Sequence, residues 1–472
     1  MVRATTKSKR KTTRSKSAAK SSQAIDISNL ASCIEDARLA ALDSDVGPDD
    51  PTEFSNLMGR LVASRDRLPP LYRQAVYAPF LEIMTDLGRD GFVEILLRDP
   101  ARESTAGLVL DVAHAILQNG ERYEDQATDA FQEVVSDLYD GFLSMEDRLG
   151  VNPPDHSTIA PLVKWGNPSF GPYTWTISAT ESVGLGAGIV NLPPANARRG
   201  LLAWSAVGHE TAGHDILHAD EGLAQELAVS VFNALNEANV GNVLPAYWAS
   251  RIDETASDVL GILNTGPTAG IGLIGYFRGL NAAFSGTATL RNEGPAGDSH
   301  PADILRGYLA ASTVGLLEFD QANQWADLIL QETENDLETI TITGRSITTA
   351  HARESADIVA KTIAEMKLRS LEQHSLSEIQ NWRNHDEEIV QQLRGLLTRA
   401  ESLPKSLESG MYGAHAVAAG VTAALAGDGP LSVIFDRMKS LLKMMHDANP
   451  SWGPLFVLHP GNLVMHPMYR RH

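Results

Sequence analysis

Trp204-Ser205-Ala206-Val207-Gly208-His209-Glu210-Thr211-Ala212-Gly213-His214-Asp215-Ile216-Leu217-His218 sets two imidazoles and a carboxylate within six positions, His209 to His214. Most of the surrounding residues are compatible with a helix. Two histidines and a glutamate so placed are the composition of a zinc site that carries its own general base. Histidines at i and i+4 lie about 40° apart around a helix and can share an ion. Here the spacing is i and i+5, roughly 140° apart on a regular helix, and the two rings diverge. A π-bulge absorbs one extra residue in a turn and restores the facing. Gly213 is the residue expected at the distortion, because it tolerates unusual backbone. The spacing thus predicts a helix over about 200–218 that swells at the motif.

Asp253-Glu254-Thr255-Ala256-Ser257-Asp258 follows about forty residues later. A helix there puts Glu254 and Asp258 on one face, one turn apart. Glu254 can be the third metal ligand. Asp258 can accept the free ring N–H of a ligating histidine and so fix its tautomer and orientation.

Together, HETAGH and DETASD resemble the dipeptidyl-peptidase III family of zinc peptidases, whose hallmarks are H-E-x-x-G-H and E-E-x-x-x-[E/D]. The resemblance implies His209, His214 and Glu254 as ligands of one Zn²⁺, Glu210 as the catalytic glutamate and Asp258 as the acid behind a ligand. Asp253 falls where the family has the first Glu of the pair. Gly188-Ile189-Val190-Asn191-Leu192-Pro193 is similar to the family's substrate-binding strand and implies contacts from Gly188, Ile189, Val190 and Asn191. The likeness spans Gly184 to Asp258; this chain is much shorter than that family's two-lobed enzymes. Further on, His300-Pro301 and Arg306 look like the His-Pro…Arg run of a second group, the membrane-embedded gluzincins that process prenylated proteins. That likeness implies that His300 stabilises the tetrahedral intermediate, while Arg306 braces Glu254 or binds a substrate carboxylate. An ordinary capped helix, with Pro301 at its first position, is the plain alternative.

Composition bounds the rest. A chain of 472 residues, 43% hydrophobic and 21% charged, can bury a sizeable core in two or three domains. Its single cysteine, Cys33, excludes an internal disulfide framework and fits a reducing compartment. The net charge is −20, yet residues 1–25 carry eight Lys/Arg and no acid, so the body is more acidic than the total. An acidic body argues against a nucleic-acid surface there. The first 25 residues read as a disordered basic arm with a possible anionic partner, and they lack the apolar run of a secretory signal. No apolar run is long enough for a transmembrane helix. The expected location is cytoplasmic.

The expected fold is mostly α with a small β-sheet (α+β), a zincin-like catalytic core flanked by helical regions. Its parts are the arm (1–25), a helical N-terminal region (26–150), the core (151–330) and a helical C-terminal region (331–472). Apolar spacing of three and four predicts helices over 28–42, 51–66, 71–87, 91–97, 106–118 and 125–149. Tyr173–Ile177 and Gly188–Leu192 read as strands, the latter either an edge that binds an extended peptide or part of a small hairpin that only covers the core. The glycines from Gly266 to Gly279 point to close helix packing, with a mobile wall of the cleft as the alternative, and 339–348 reads as a hairpin. His459, His466 and His472 lie in an irregular tail and are not expected to be ligands.

An alternative metal pair is His214 and His218 at i and i+4, with Asp215 as the base. It leaves His209 and Glu210 without a role. The function these residues support is a zinc-dependent peptidase acting on a peptide or protein. The alternatives are an inactive, metal-stabilised binding or structural protein of peptidase descent, and a zinc hydrolase of non-peptide amides.

Overall fold

The computed structural model describes residues 24–143, 148, 150–156, 159–399 and 412–452. The basic arm, apart from its last two residues, and the three tail histidines lie outside the described residues. The chain is mostly helical, with two three-stranded sheets. None of the described helices is long and apolar enough to cross a membrane.

The first sheet positions the site. It contains β1 (Leu162–Trp165), β2 (Tyr173–Trp175) and β3 (Ile189–Leu192), in the order β1-β3-β2. β3 runs parallel to β1, with Leu162 beside Ile189 and Trp165 beside Leu192. β2 runs antiparallel to β3, with Thr174 beside Val190. Side chains alternate across a sheet, and here the two faces serve two different cores. Leu162 and Ile189 join the core of the N-terminal helices, with Leu57, Phe80 and Val112. Val163, Trp165, Val190 and Leu192 join the larger core. That larger core also takes in Leu30, Cys33, the helix Asp125–Leu143 and the C-terminal helices through Met445, so its packing crosses positions 150 and 330.

Gly188–Leu192 is therefore not an edge strand. β3 has a partner on both sides, and all four of its residues are buried. The free edge beside the site belongs to β2. Asn191, expected to bind substrate, donates instead to the Gly171 carbonyl at 3.0 Å and ties down the loop before β2.

Helix limits follow the apolar periodicity closely. The helices Leu30–Ala41, Phe54–Ser64 and Thr105–Glu121 lie where the spacing puts them. The expected gap between Leu87 and Gly91 is a kink at Gly88, φ +59°, within Ala78–Arg98. The hairpin is real and short: β5 (Thr341–Ile342) turns through Thr343 and Gly344, both at positive φ, into β6 (Arg345–Ser346), and β5 also pairs with β4 (Glu293–Gly294).

Candidate metal centre

The motif helix begins as a regular turn, Ala203–Val207, and widens into a π-helix over Gly208–Asp215. The wider turn brings positions five apart onto one side. His209 and His214 meet there, Nε2 to Nε2 at 3.1 Å. Gly208 and Gly213 have the same spacing and let the helix Ile252–Thr265 approach. A Cβ on Gly213 would stand 2.2 Å from Ser257 Cβ, and one on Gly208 would stand 2.8 Å from Thr265 Oγ1. Gly213 is thus required by the neighbouring helix, not by a left-handed backbone, since its φ is not positive.

The close approach delivers Glu254. One of its oxygens lies 3.2 Å from His209 Nε2 and the other 3.5 Å from His214 Nε2. Among the described residues, these three form a group whose ligand atoms all lie within 4.8 Å of one another. Ligands about 2.0–2.1 Å from a tetrahedral metal stand about 3.3 Å apart, so the observed spacings suit such an ion. The donor chemistry agrees. His209 Nδ1 is 2.8 Å from Asp258 Oδ1, and His214 Nδ1 is 2.9 Å from Asp253 Oδ2. Neutral rings that donate from Nδ1 would turn their Nε2 lone pairs toward one shared cation. Glu254 Oε2 adds a third acceptor, buried and without a hydrogen-bond partner. Three converging acceptors call for a cation.

Without an ion, the surrounding carboxylates favour a second proton on the rings, which a bound cation would displace. Burial alone would lower the His209 pKa, but Asp258 and Glu254 outweigh it and raise it to about 10. Burial would raise Asp253 and Glu254, yet the histidines hold both carboxyls well below their usual range. Arg306 is buried behind the site. Its Nε and Nη2 each lie 2.7 Å from Asp258, and Nη2 lies 3.9 Å from Glu254. It braces the acids of the site. With its guanidinium committed there, it is not placed to bind a substrate carboxylate.

Glu210 is 6% exposed and lines a cavity of about 350 Å³ with His209, Glu254 and His300. Thr174 Oγ1, on β2, donates to Glu210 Oε2 at 2.9 Å and faces its carbonyl at 3.0 Å. His300 sits at the mouth, half exposed, its Nε2 3.3 Å from Glu254 Oε1. Asp298 anchors it by accepting from its backbone N–H at 2.9 Å.

The alternative pair does not converge. His218 Nε2 lies 2.8 Å from Asp253 Oδ1, so His214 and His218 meet on the two oxygens of one carboxylate. Asp215 points away and accepts the Ile177 N–H at 2.5 Å, and its burial pushes its carboxyl up to about 7. Thr174 and the role of His218 were missed in the sequence. Thr174 had a signal, since it alternates with Tyr173 and Trp175 in a recognisable strand. His218 bonding to Asp253 had none.

Comparison with protein-family models, with curated proteins and with solved structures found no match to this chain.

Proposed function

We propose that the protein is a zinc-dependent peptidase, with a zincin-like core akin to that of the dipeptidyl-peptidase III family. The observation that carries this reading is the convergence of His209, His214 and Glu254 at 3.1–3.5 Å, each ring backed by a carboxylate. Two imidazoles, a carboxylate and an open side suit catalytic zinc. Bound there, zinc supplies Lewis acidity, which acidifies water and polarises a carbonyl oxygen.

The chain's own groups supply the rest. Glu210, oriented by Thr174, takes the proton of the attacking water. The water oxygen bonds to the peptide carbonyl carbon, the C–N bond breaks, and Glu210 returns the proton to the leaving nitrogen. His300 at the mouth donates to the developing oxyanion. Asp258 and Asp253 hold the ring orientations, and Arg306 balances their charge. The free edge of β2 offers backbone N–H and C=O groups to an extended substrate, the service expected of β3.

The test is elemental analysis beside hydrolysis of a peptide library. Wild type should hold one zinc per chain, His214→Ala should lose it, and Glu210→Ala should keep it while losing turnover by about 10²–10⁴-fold. Wild-type turnover in Glu210→Ala would overturn the base. Zinc at full stoichiometry with no turnover would favour a metal-stabilised binding protein.

A further inference from the structure

The helix Pro267–Phe284 has two faces with different work. On one, Gly275 and Gly279 admit neighbours so closely that a Cβ would stand 2.6 Å from Leu202 and 2.7 Å from Ala37. On the other, Leu273, Tyr276, Phe277, Leu280 and Phe284 recur at helical spacing and wall the cavity that holds Glu210 and Glu254. The wall continues outward. A second cavity of about 660 Å³ shares Tyr276, Leu280 and Phe284 with the first, and Phe170 and Pro172 on the facing side, and ends near Ala41 and Asp43.

Two phenyl rings stand at this groove in solvent. Phe284 is 72% exposed and Phe170 is 53% exposed. One exposed ring is unremarkable on a surface. Two on the same groove, opening onto the candidate centre, form an apolar binding wall. The arginines along it are already engaged. Arg291 lies on Asp298 and Asp303, and Arg306 on Asp258. An acidic ligand would therefore meet carboxylates and no unpaired guanidinium at these positions.

We infer that the groove takes a bulky apolar group carried next to the scissile carbonyl, selected by Phe170, Leu280 and Phe284. This rests on the hydrolase reading for the bond but not for the groove. The occupant is an aromatic or aliphatic side chain of the peptide substrate, because the groove continues from the cavity that holds Glu210 and Glu254.

The experiment is calorimetric binding to the full chain in excess zinc, in a Glu210→Gln background that blocks hydrolysis. The probes are blocked pentapeptides with a central Phe, Leu, Ala or Asp between glycines, and N-octanoyl-glycinamide. Phe and Leu peptides should bind at least about tenfold more tightly than Ala, with Asp weakest. Adding Leu280→Ser and Phe284→Ser should shrink that preference to within about threefold, with a cooperative thermal transition reporting that the variant folds although partly buried Leu280 lowers its midpoint. The octanoyl amide should bind more weakly than the Phe peptide; a match would overturn the peptide side chain as occupant in favour of an acyl chain. Equal affinities across the peptides, or a preference that survives both substitutions, overturns the groove. Wild-type turnover is scored separately. Binding preference without hydrolysis sinks the peptidase reading alone, and hydrolysis without preference sinks the groove alone.

Discussion

Gly213→Ala tests the geometry of the centre without touching a candidate ligand. The new methyl would lie 2.2 Å from Ser257 Cβ and 2.4 Å from Ser257 Cα. Carbon atoms in contact need about 3.5–4.0 Å, so the two helices must part locally by about 1.5 Å. No rotamer relieves this, because the clashing atoms are fixed to the backbone on both sides. Overpacking of this kind costs about 1–3 kcal/mol, and the upper end is expected here. Unfolding entropy of about 2.1 cal/mol/K per residue over 472 residues turns 3 kcal/mol into only about 3 °C of midpoint shift. Metal affinity is the sharper readout. The gap of 3.2 Å between His209 and Glu254 would widen beyond the span of one tetrahedral ion. Competition against a chromophoric chelator should show zinc affinity lower by at least about 100-fold, more than outer-shell partners usually carry. Adding Ser257→Gly should restore it only in part, since Ser257 Cα alone is too close. Zinc bound by Gly213→Ala within about threefold of wild type would refute the helix-spacing argument.

Other outcomes follow from the same coordinates. Asp258→Asn strands the buried Arg306 and should cost about 3–5 kcal/mol in denaturant unfolding even without metal. Asp253→Asn removes the carboxylate that His214 and His218 share, so zinc affinity should fall about 10–100-fold in the same chelator assay. Free zinc at a hundred times its Kd should stabilise the protein by about 2.7 kcal/mol, reversibly on chelation, in a thermal scan. Cys33 is 2% exposed and burial pushes its thiol up to about 12, so the reactive thiolate is scarce at pH 8. A disulfide-exchange reagent should label it only after unfolding; rapid labelling of the native chain would contradict its burial. Thr174→Val should lower kcat with KM nearly unchanged, and an equal rise in KM would mean that Thr174 binds substrate rather than orienting Glu210.

What was legible in the sequence is what local spacing encodes. The i, i+5 histidines demand a wide turn, and HETAGH forms one. Glu254 and Asp258 are one turn apart, and both reach the centre. Mostly helical architecture with a small sheet follows from apolar periodicity. Strand order was not legible. β1 is a short buried run with no alternation to announce it, and its pairing with β3 is what moves Gly188–Leu192 from the edge to the middle. The reason for Gly213 was also hidden, since its partner Ser257 is 44 positions away and only packing brings them together. The same holds for Arg306, whose commitment to Asp258 depends on where two helices cross.

β2 ties the N-terminal helical layer to the Glu210 carboxylate. On one face Thr174 holds Glu210, while on the other Tyr173 and Trp175 both donate to Asp111 in the N-terminal helical layer, at 2.6 and 2.8 Å. Binding beside Glu210 should therefore change Trp175 emission without touching its ring, as a difference signal that Trp175→Phe removes.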